Sequence, residues 1–227
     1  MTFTRYAIYY APPRAAEWCR FASAWLGWDL EAGEVLPHPE AAGLNVPALS
    51  AVPRRYGLHA TVKPPMRLAE GETLAALKDA CATLAARTAP VTLEGLQLAR
   101  MGRFLALRPV GCEAALNALA AEWVTGLDRF RAPASEAEAA RRRAAGLTPA
   151  QEANLTRWGY PYVLDQFRFH ITLTGKLPKP ELPAVEAALT AQLLPLLPAP
   201  LEIRDLALAG EAPDGRFHLV HRYPLSG

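Results

Sequence analysis

The pattern His-x-Thr-hydrophobic occurs twice in this chain, as His59-Ala60-Thr61-Val62 and as His170-Ile171-Thr172-Leu173. Each copy opens the same series of elements. A strand-like apolar stretch ends on the tetrad. A helical pattern follows, then a proline (Pro90, Pro200), a strand pattern (91–99 and 201–209), a turn, and a Gly-Arg-Phe triplet (Gly102-Arg103-Phe104 and Gly215-Arg216-Phe217). His to Pro is 31 residues in one copy and 30 in the other, and Pro to Gly is 12 and 15. One such tetrad arises readily by chance. Two in matched surroundings imply a duplicated strand–helix–hairpin unit that brings two histidines and two threonines to a shared place.

A chain of 227 residues with 51% apolar content can bury a full core. No apolar run approaches the ~18–20 residues a membrane span needs, so no membrane partner is expected. The opening Met1-Thr2-Phe3-Thr4-Arg5 lacks a signal peptide's charged-then-apolar layout and reads as structure. Cys19, Cys81 and Cys112 are odd in number, far apart and in no Cys-x-x-Cys spacing. They fit a reducing cytoplasm and three core-type thiols better than disulfides or zinc. The formal net charge of +2 lacks the basic excess of a nucleic-acid coat but leaves room for a local anion site. The reading is a cytoplasmic globular protein.

Along the chain, Arg5–Tyr10 reads as an opening strand stopped by Pro12-Pro13. From Arg14, the residues Trp18, Phe21, Ala22, Trp25 and Leu26 fall at helical spacing, and Gly27 suits a C-terminal cap. Residues 29–53 are proline-punctuated and irregular, a connection long enough to cover a site or to be mobile. The first module is a strand over 56–62 stopped by Pro64-Pro65, a helix over 73–87 and a hairpin over 91–109. Between the modules, 113–130 is an amphipathic helix. Ser135 with Glu138 caps the next helix, and Thr148 with Gln151 starts another that ends near Trp158-Gly159. The second module runs from Phe167 through a helix over 182–194 to a hairpin over 201–223.

Side chains alternate along a strand, so residues two apart share a face. Arg55, Gly57, His59, Thr61 and Lys63 therefore fall on one face of the first tetrad strand. Arg168, His170, Thr172 and Thr174 fall on one face of the second. If the modules pack as pseudo-symmetric partners, these polar faces line one cleft with two imidazoles, hydroxyls and cations, and with no carboxylate from either tetrad. That inventory suits a phosphoester. An imidazole titrates near neutrality, so one can take a proton from the attacking hydroxyl while the other protonates the departing oxygen. Threonine hydroxyls donate to the non-bridging oxygens, and Arg or Lys neutralise the charge that builds there. The histidines move the protons, so no metal or cofactor is required.

The paired His59-x-Thr61 and His170-x-Thr172 in a duplicated strand–helix–hairpin resemble the 2H phosphoesterase superfamily, the LigT-like fold. That superfamily includes cyclic nucleotide phosphodiesterases and RNA 2′,3′-cyclic phosphodiesterases, also called 2′–5′ RNA ligases. The stretches Arg5-Tyr6-Ala7-Ile8-Tyr9-Tyr10, Arg55-Tyr56-Gly57-Leu58-His59-Ala60-Thr61, Trp158-Gly159-Tyr160-Pro161-Tyr162 and Phe167-Arg168-Phe169-His170 look closer still to the branch known as phosphonate metabolism proteins. The resemblance implies a bilobal α+β domain over residues 1–227, with two antiparallel sheets flanked by helices around a central cleft. One lobe would hold the first module (about 54–110), the insert would span about 111–166, and the other lobe would hold the second module (about 167–224). It also implies metal-free opening of a cyclic phosphodiester, with His59 and His170 as the acid/base pair and Thr61 and Thr172 as phosphate binders.

The remaining candidates are weaker. Lys63, Arg168 and Arg55 share the tetrad faces, yet a cation on a strand face is often only solvated. Tyr160 either frames the cleft mouth or packs. His218, His221 and His38 read as structural or exposed, and Arg141-Arg142-Arg143 as the solvated side of an insert helix, with use for a phosphate tail the alternative that the resemblance to the branch implies. A small phosphorylated substrate, a cyclic phosphate on a nucleotide or a ribose phosphate, is the expected partner. The alternatives are an RNA-end enzyme, disfavoured by the near-neutral charge, and a non-catalytic nucleotide-binding module.

Overall fold

A computed structural model describes residues 2–227. The β-branched, aromatic and alternating stretches form strands β1 (Arg5–Tyr10), β2 (Trp28–Asp29), β3 (Glu34–Val35), β4 (Ala60–Met66), β5 (Val91–Leu93), β6 (Gly95–Met101), β7 (Phe104–Val110), β8 (Ile171–Thr172), β9 (Leu201–Ile203), β10 (Asp205–Glu211) and β11 (Phe217–Pro224). Residues at helical spacing form α1 (Glu17–Leu26), α2 (Val46–Leu49), α3 (Ala51–Arg54), α4 (Leu74–Ala85), α5 (Ala114–Gly126), α6 (Glu136–Arg143), α7 (Pro149–Trp158) and α8 (Leu182–Gln192). Local chemistry sets the helix ends. Ser135–Glu138 and Thr148–Gln151 make complete capping boxes on α6 and α7, satisfying amides that a helix start leaves open. Gly27 ends α1 at φ 79°, a left-handed conformation that glycine adopts without strain.

The fold is α+β with antiparallel pairing throughout. Seven strands form one sheet in the order β11-β10-β1-β4-β8-β7-β6, and β5 pairs with β9, β2 with β3, as separate ribbons. Equivalent strands of the two modules meet: β4 against β8 through Ala60 and Ile171, and β5 against β9 through Thr92 and Glu202. A pseudo-twofold axis therefore passes between the two tetrads. Helix α4 packs on β10 and β11, α8 on β6 and β7, and α5 on β4. The core between sheet and helices holds Trp18, Trp25, Leu77, Trp123, Phe169 and Leu189 among others, all at most 3% exposed.

Four expectations are corrected. The two lobes are not the two sequence modules. The strand of the first tetrad lies with β1 and the hairpin β10–β11, while that of the second lies with the hairpin β6–β7. The β5–β9 ribbon explains the exchange: the chain leaves each helix, crosses the centre there, and enters the other half. The α+β class with antiparallel sheets flanked by helices is as expected, its two halves being continuous through the register pair between β4 and β8.

The first tetrad strand does not begin at Tyr56 and is not stopped by Pro64-Pro65. Arg55 caps α3 in helical geometry, Gly57 turns the chain at φ 70°, and β4 runs on to Met66. Both prolines fall where the β1–β4 register slips, between the pairs Tyr6–Met66 and Ile8–Lys63, so no ladder amide is demanded of them. A second slip, between Ile8–Lys63 and Tyr9–Thr61, places an extra residue at Val62. Val62 and Lys63 are both 1% exposed. The bulge thus turns Lys63 away from the tetrad face, against α5. Finally, Cys19 and Cys81 are core thiols but Cys112 is exposed.

Candidate functional site

The β4–β8 pairing decides the geometry of the tetrads. Ala60 opposes Ile171, and both point into the core, at 1% and 0% exposure. Continuing that antiparallel register by one residue each way sets Thr61 across from His170 and His59 across from Thr172. All four side chains are half-buried, on the face opposite the core. Directly opposed residues on such strands have Cβ atoms ~4.5–5.5 Å apart, and diagonal ones roughly 7–8 Å. His59 and His170 form the diagonal. The two imidazoles thus stand on either side of a space suited to one phosphoryl group, with a threonine beside each.

Each histidine is held in the same way. His59 Nδ1 lies 2.9 Å from the Gly57 carbonyl, and His170 Nδ1 lies 2.8 Å from the Arg168 carbonyl. A carbonyl only accepts, so Nδ1 carries the proton in both rings and Nε2 is the nitrogen left for chemistry. The positive φ of Gly57 is what folds its carbonyl back under the ring. His59 Nε2 accepts from the Thr61 hydroxyl at 3.2 Å. Its ring lies 3.8 Å from that of Tyr9, centroid to centroid, and Tyr56 flanks the other side at 5.9 Å. Phe104 borders His170 at 6.0 Å.

Burial pushes the pKa of His59 down to about 4; the Gly57 hydrogen bond opposes this and the proximity of His170 adds to it. His170 is also held below the usual imidazole value, by burial first and by the charge of Arg108, against the bond to the Arg168 carbonyl. In the empty cleft both rings are therefore neutral near pH 7.

Two adjoining cavities share this floor. One, of about 350 Å³, includes His59, Thr61, Thr172 and Arg142 in its wall. The other, of about 730 Å³, includes Thr61, His170, Phe104 and Arg168. Thr61, Tyr160 and Lys176 line both. No carboxylate lines either cavity among the described residues. Likewise, no group of three His, Cys, Asp or Glu side chains is placed to hold a metal ion among them.

The other sequence candidates separate clearly. Tyr160 is in the wall. Arg168 borders the cavity of His170, with Nη1 bonded to the carbonyls of Asp165 and Phe167. Arg55 lies outside both cavities, stacked over Tyr56 and bonded to its hydroxyl. Lys63 is removed from the site altogether: Nζ donates to the Val124 carbonyl at 2.8 Å and stands 3.7 Å from Asp128. Thr174 reaches the wall, but its hydroxyl is engaged with the Leu105 amide and the Gly175 carbonyl.

Sequence reasoning missed Lys176, although extending the alternation His170, Thr172, Thr174 by two residues reaches it. It also missed Arg5, Tyr9 and Tyr56 in the wall and undervalued Arg142. The irregular stretch before β4 supplies Val52 and Pro53 to the rim. The Leu49 carbonyl at the end of α2 accepts from the Gly175 amide at 2.7 Å, which ties that stretch to the segment after the second tetrad.

Among known proteins, this chain is 35% identical over its full length to "Ribose 1,5-bisphosphate phosphokinase PhnN" of Janthinobacterium sp. (strain Marseille), covering 52% of that protein. It is 37% identical over 92% of its length to the protein of the same name from Laribacter hongkongensis (strain HLHK9), covering 49% of it. The chain thus spans about half the length of the curated relatives it matches. Similar solved structures include TT0787 of Thermus thermophilus, at 18% identity, 98% coverage of each chain and a TM-score of 0.48. E. coli LigT complexed with NADP+ is similar at 16% identity, 100% coverage of each chain and a TM-score of 0.46. A family model described as "Protein of unknown function (DUF1045)" matches residues 61–218, from the threonine of the first tetrad through the second tetrad into the last strand, and it is to this family that the chain belongs.

Proposed function

We propose that the chain is a metal-independent phosphodiesterase of the 2H type that opens a cyclic phosphate, 2′,3′ or 1,2, on a nucleotide or a ribose phosphate. The observation that carries this reading is the antiparallel juxtaposition of the two tetrads, with both Nδ1 atoms held by backbone carbonyls, and with Nε2 of His59 turned to the Thr61 hydroxyl and that of His170 unbonded. The phosphorus sits on the diagonal between the rings. His59, the more strongly neutral of the two, takes a proton from water at Nε2 as the water oxygen bonds to phosphorus. The opposite P–O ester bond breaks, and His170 delivers the proton on its Nε2 to the departing oxygen. Thr61, Thr172 and Lys176 donate to the non-bridging oxygens. His170 must carry a proton for this, and a bound phosphoryl anion, as an opposite charge nearby, raises its pKa. Exchange with solvent then resets both rings. The name shared by the two relatives, a kinase of ribose 1,5-bisphosphate, supports a phosphorylated sugar as substrate and a link to phosphonate metabolism.

The test is turnover of 2′,3′-cyclic nucleotides and ribose 1,2-cyclic phosphate in the presence of a chelator. Silence on all of them removes the proposal. With an active substrate, His59→Ala and His170→Ala are each expected to lower kcat by ~10²–10⁴-fold, the usual worth of one acid/base group.

A further inference from the structure

The positive charge of the cleft exceeds what one cyclic phosphate needs. A cyclic phosphodiester carries a single negative charge, while Arg5, Arg142 and Lys176 all line the His59 cavity and no carboxylate does. Glu211 neutralises Arg5 through a two-pronged ion pair, with Nη2 to Oε1 at 2.6 Å. Arg142 and Lys176 have no acidic partner among the described residues. On the same helix as Arg142, by contrast, Glu138 pairs with Arg67 and Arg143 with Glu152.

Arg168 in the His170 cavity also lacks an acidic partner but is bonded to the Asp165 and Phe167 carbonyls; Arg142 and Lys176 occupy different places. Lys176 lines both cavities, together with Thr61, and so serves the space shared by the two histidines. Arg142 lines the His59 cavity and a small pocket beyond it that Arg5, Arg67, Arg131 and Glu138 also border, with Glu138 paired to Arg67. Its guanidinium lies 4.4 Å over the Tyr160 ring, a cation–π contact that leaves its N–H donors for a ligand. An arginine held against an aromatic ring, without an ion-pair partner among the described residues and in a wall that extends beyond the histidines, is suited to grip a phosphomonoester in a forked manner.

Resting on the proposed phosphodiesterase reading, we infer that Arg142 forms a second anion subsite, and that the substrate is a cyclic phosphodiester whose sugar carries a separate terminal phosphate. The test compares two substrates that differ only there: ribose 1,2-cyclic phosphate with and without a 5-phosphate. Wild-type protein is expected to show kcat/KM at least tenfold higher on the phosphorylated form, chiefly through KM. Arg142→Gln is expected to lose at least tenfold more on that form than on the unphosphorylated one, whereas Lys176→Gln loses similarly on both. Equal losses for Arg142→Gln on both substrates, or a wild-type enzyme indifferent to the terminal phosphate, overturns the subsite and leaves the phosphodiesterase intact. If neither substrate turns over, the phosphodiesterase reading fails and calorimetry with ribose 5-phosphate still decides the subsite. Binding that Arg142→Gln weakens at least tenfold upholds it; binding that is absent or unchanged in the variant overturns it.

Discussion

Each of the two histidines is oriented by a backbone carbonyl two residues upstream, and this repeated device sets the tautomer of both rings. A carboxylate in that place would hold the imidazolium form; here burial outweighs the carbonyl hydrogen bond and favours the neutral ring. The consequence is a pH profile displaced to the acid side. The base must be deprotonated, so kcat/KM falls as pH drops through about 4, the value of His59. The acid must be protonated, so kcat/KM falls again as pH rises through the pKa of His170, which lies below its ordinary value of 6.5. A bell with its maximum between these limits is expected for kcat/KM, which reports the free enzyme, with the basic limb of kcat shifted upward once the phosphoryl anion is bound. A basic limb of kcat/KM above pH 7.5 would contradict the assignment of His170.

At the scale of elements, the bulge in β4 is what separates a site residue from a structural one. Without the extra residue at Val62, Lys63 would continue the face of His59 and Thr61. With it, the ammonium group is 1% exposed beneath α5, and burial lowers its pKa to about 8 despite the nearby Asp128. There it satisfies the carbonyl of Val124 in the last turn of α5, one of the acceptors a helix end leaves open. Asp128 retains Arg131, at 2.8 Å, when the lysine is removed. Lys63→Met keeps the stem and loses that bond, so urea unfolding is expected to show a loss of ~1–3 kcal/mol, the cost of an unsatisfied buried acceptor. The kcat/KM of the folded variant is expected to change less than threefold. A large loss of kcat at unchanged stability would return Lys63 to the cleft.

At the scale of the molecule, neither half of the sheet can be built from one module. The strand β4 needs the hairpin of the second module beside β1, and β8 needs the hairpin of the first. The catalytic geometry we propose is therefore a product of the whole chain: the two tetrads meet only when both halves have formed. Fragments 1–110 and 111–227, produced separately, are expected to give circular dichroism spectra without the native sheet signal, because each carries strands whose partners lie in the other. Mixing them is expected to restore it. A fragment 111–227 that folded cooperatively alone would contradict the exchanged topology.

Much of this was legible in the residues themselves. The tetrads, their duplication, β1, the span of α1 with its Gly27 cap, and the capping boxes at Ser135 and Thr148 depend on neighbours within a few positions, and such preferences are written locally. The alternation around His170 likewise held wherever the strand was regular. What could not be read was the partnership of strands: that Ile8 opposes Lys63 and Tyr9 opposes Thr61, leaving Val62 over; that the hairpins change sides; and that Arg142, from a polar helix, ends beside the first tetrad. Those outcomes depend on contacts between segments far apart in the chain, where register is chosen by the total burial of both faces and not by the composition of either strand. The sequence by itself determined which histidines and threonines share a polar face, because short periodic patterns dictate it; only the tertiary structure decided which cations accompany them, because a single inserted residue reverses a face and no local pattern announces it.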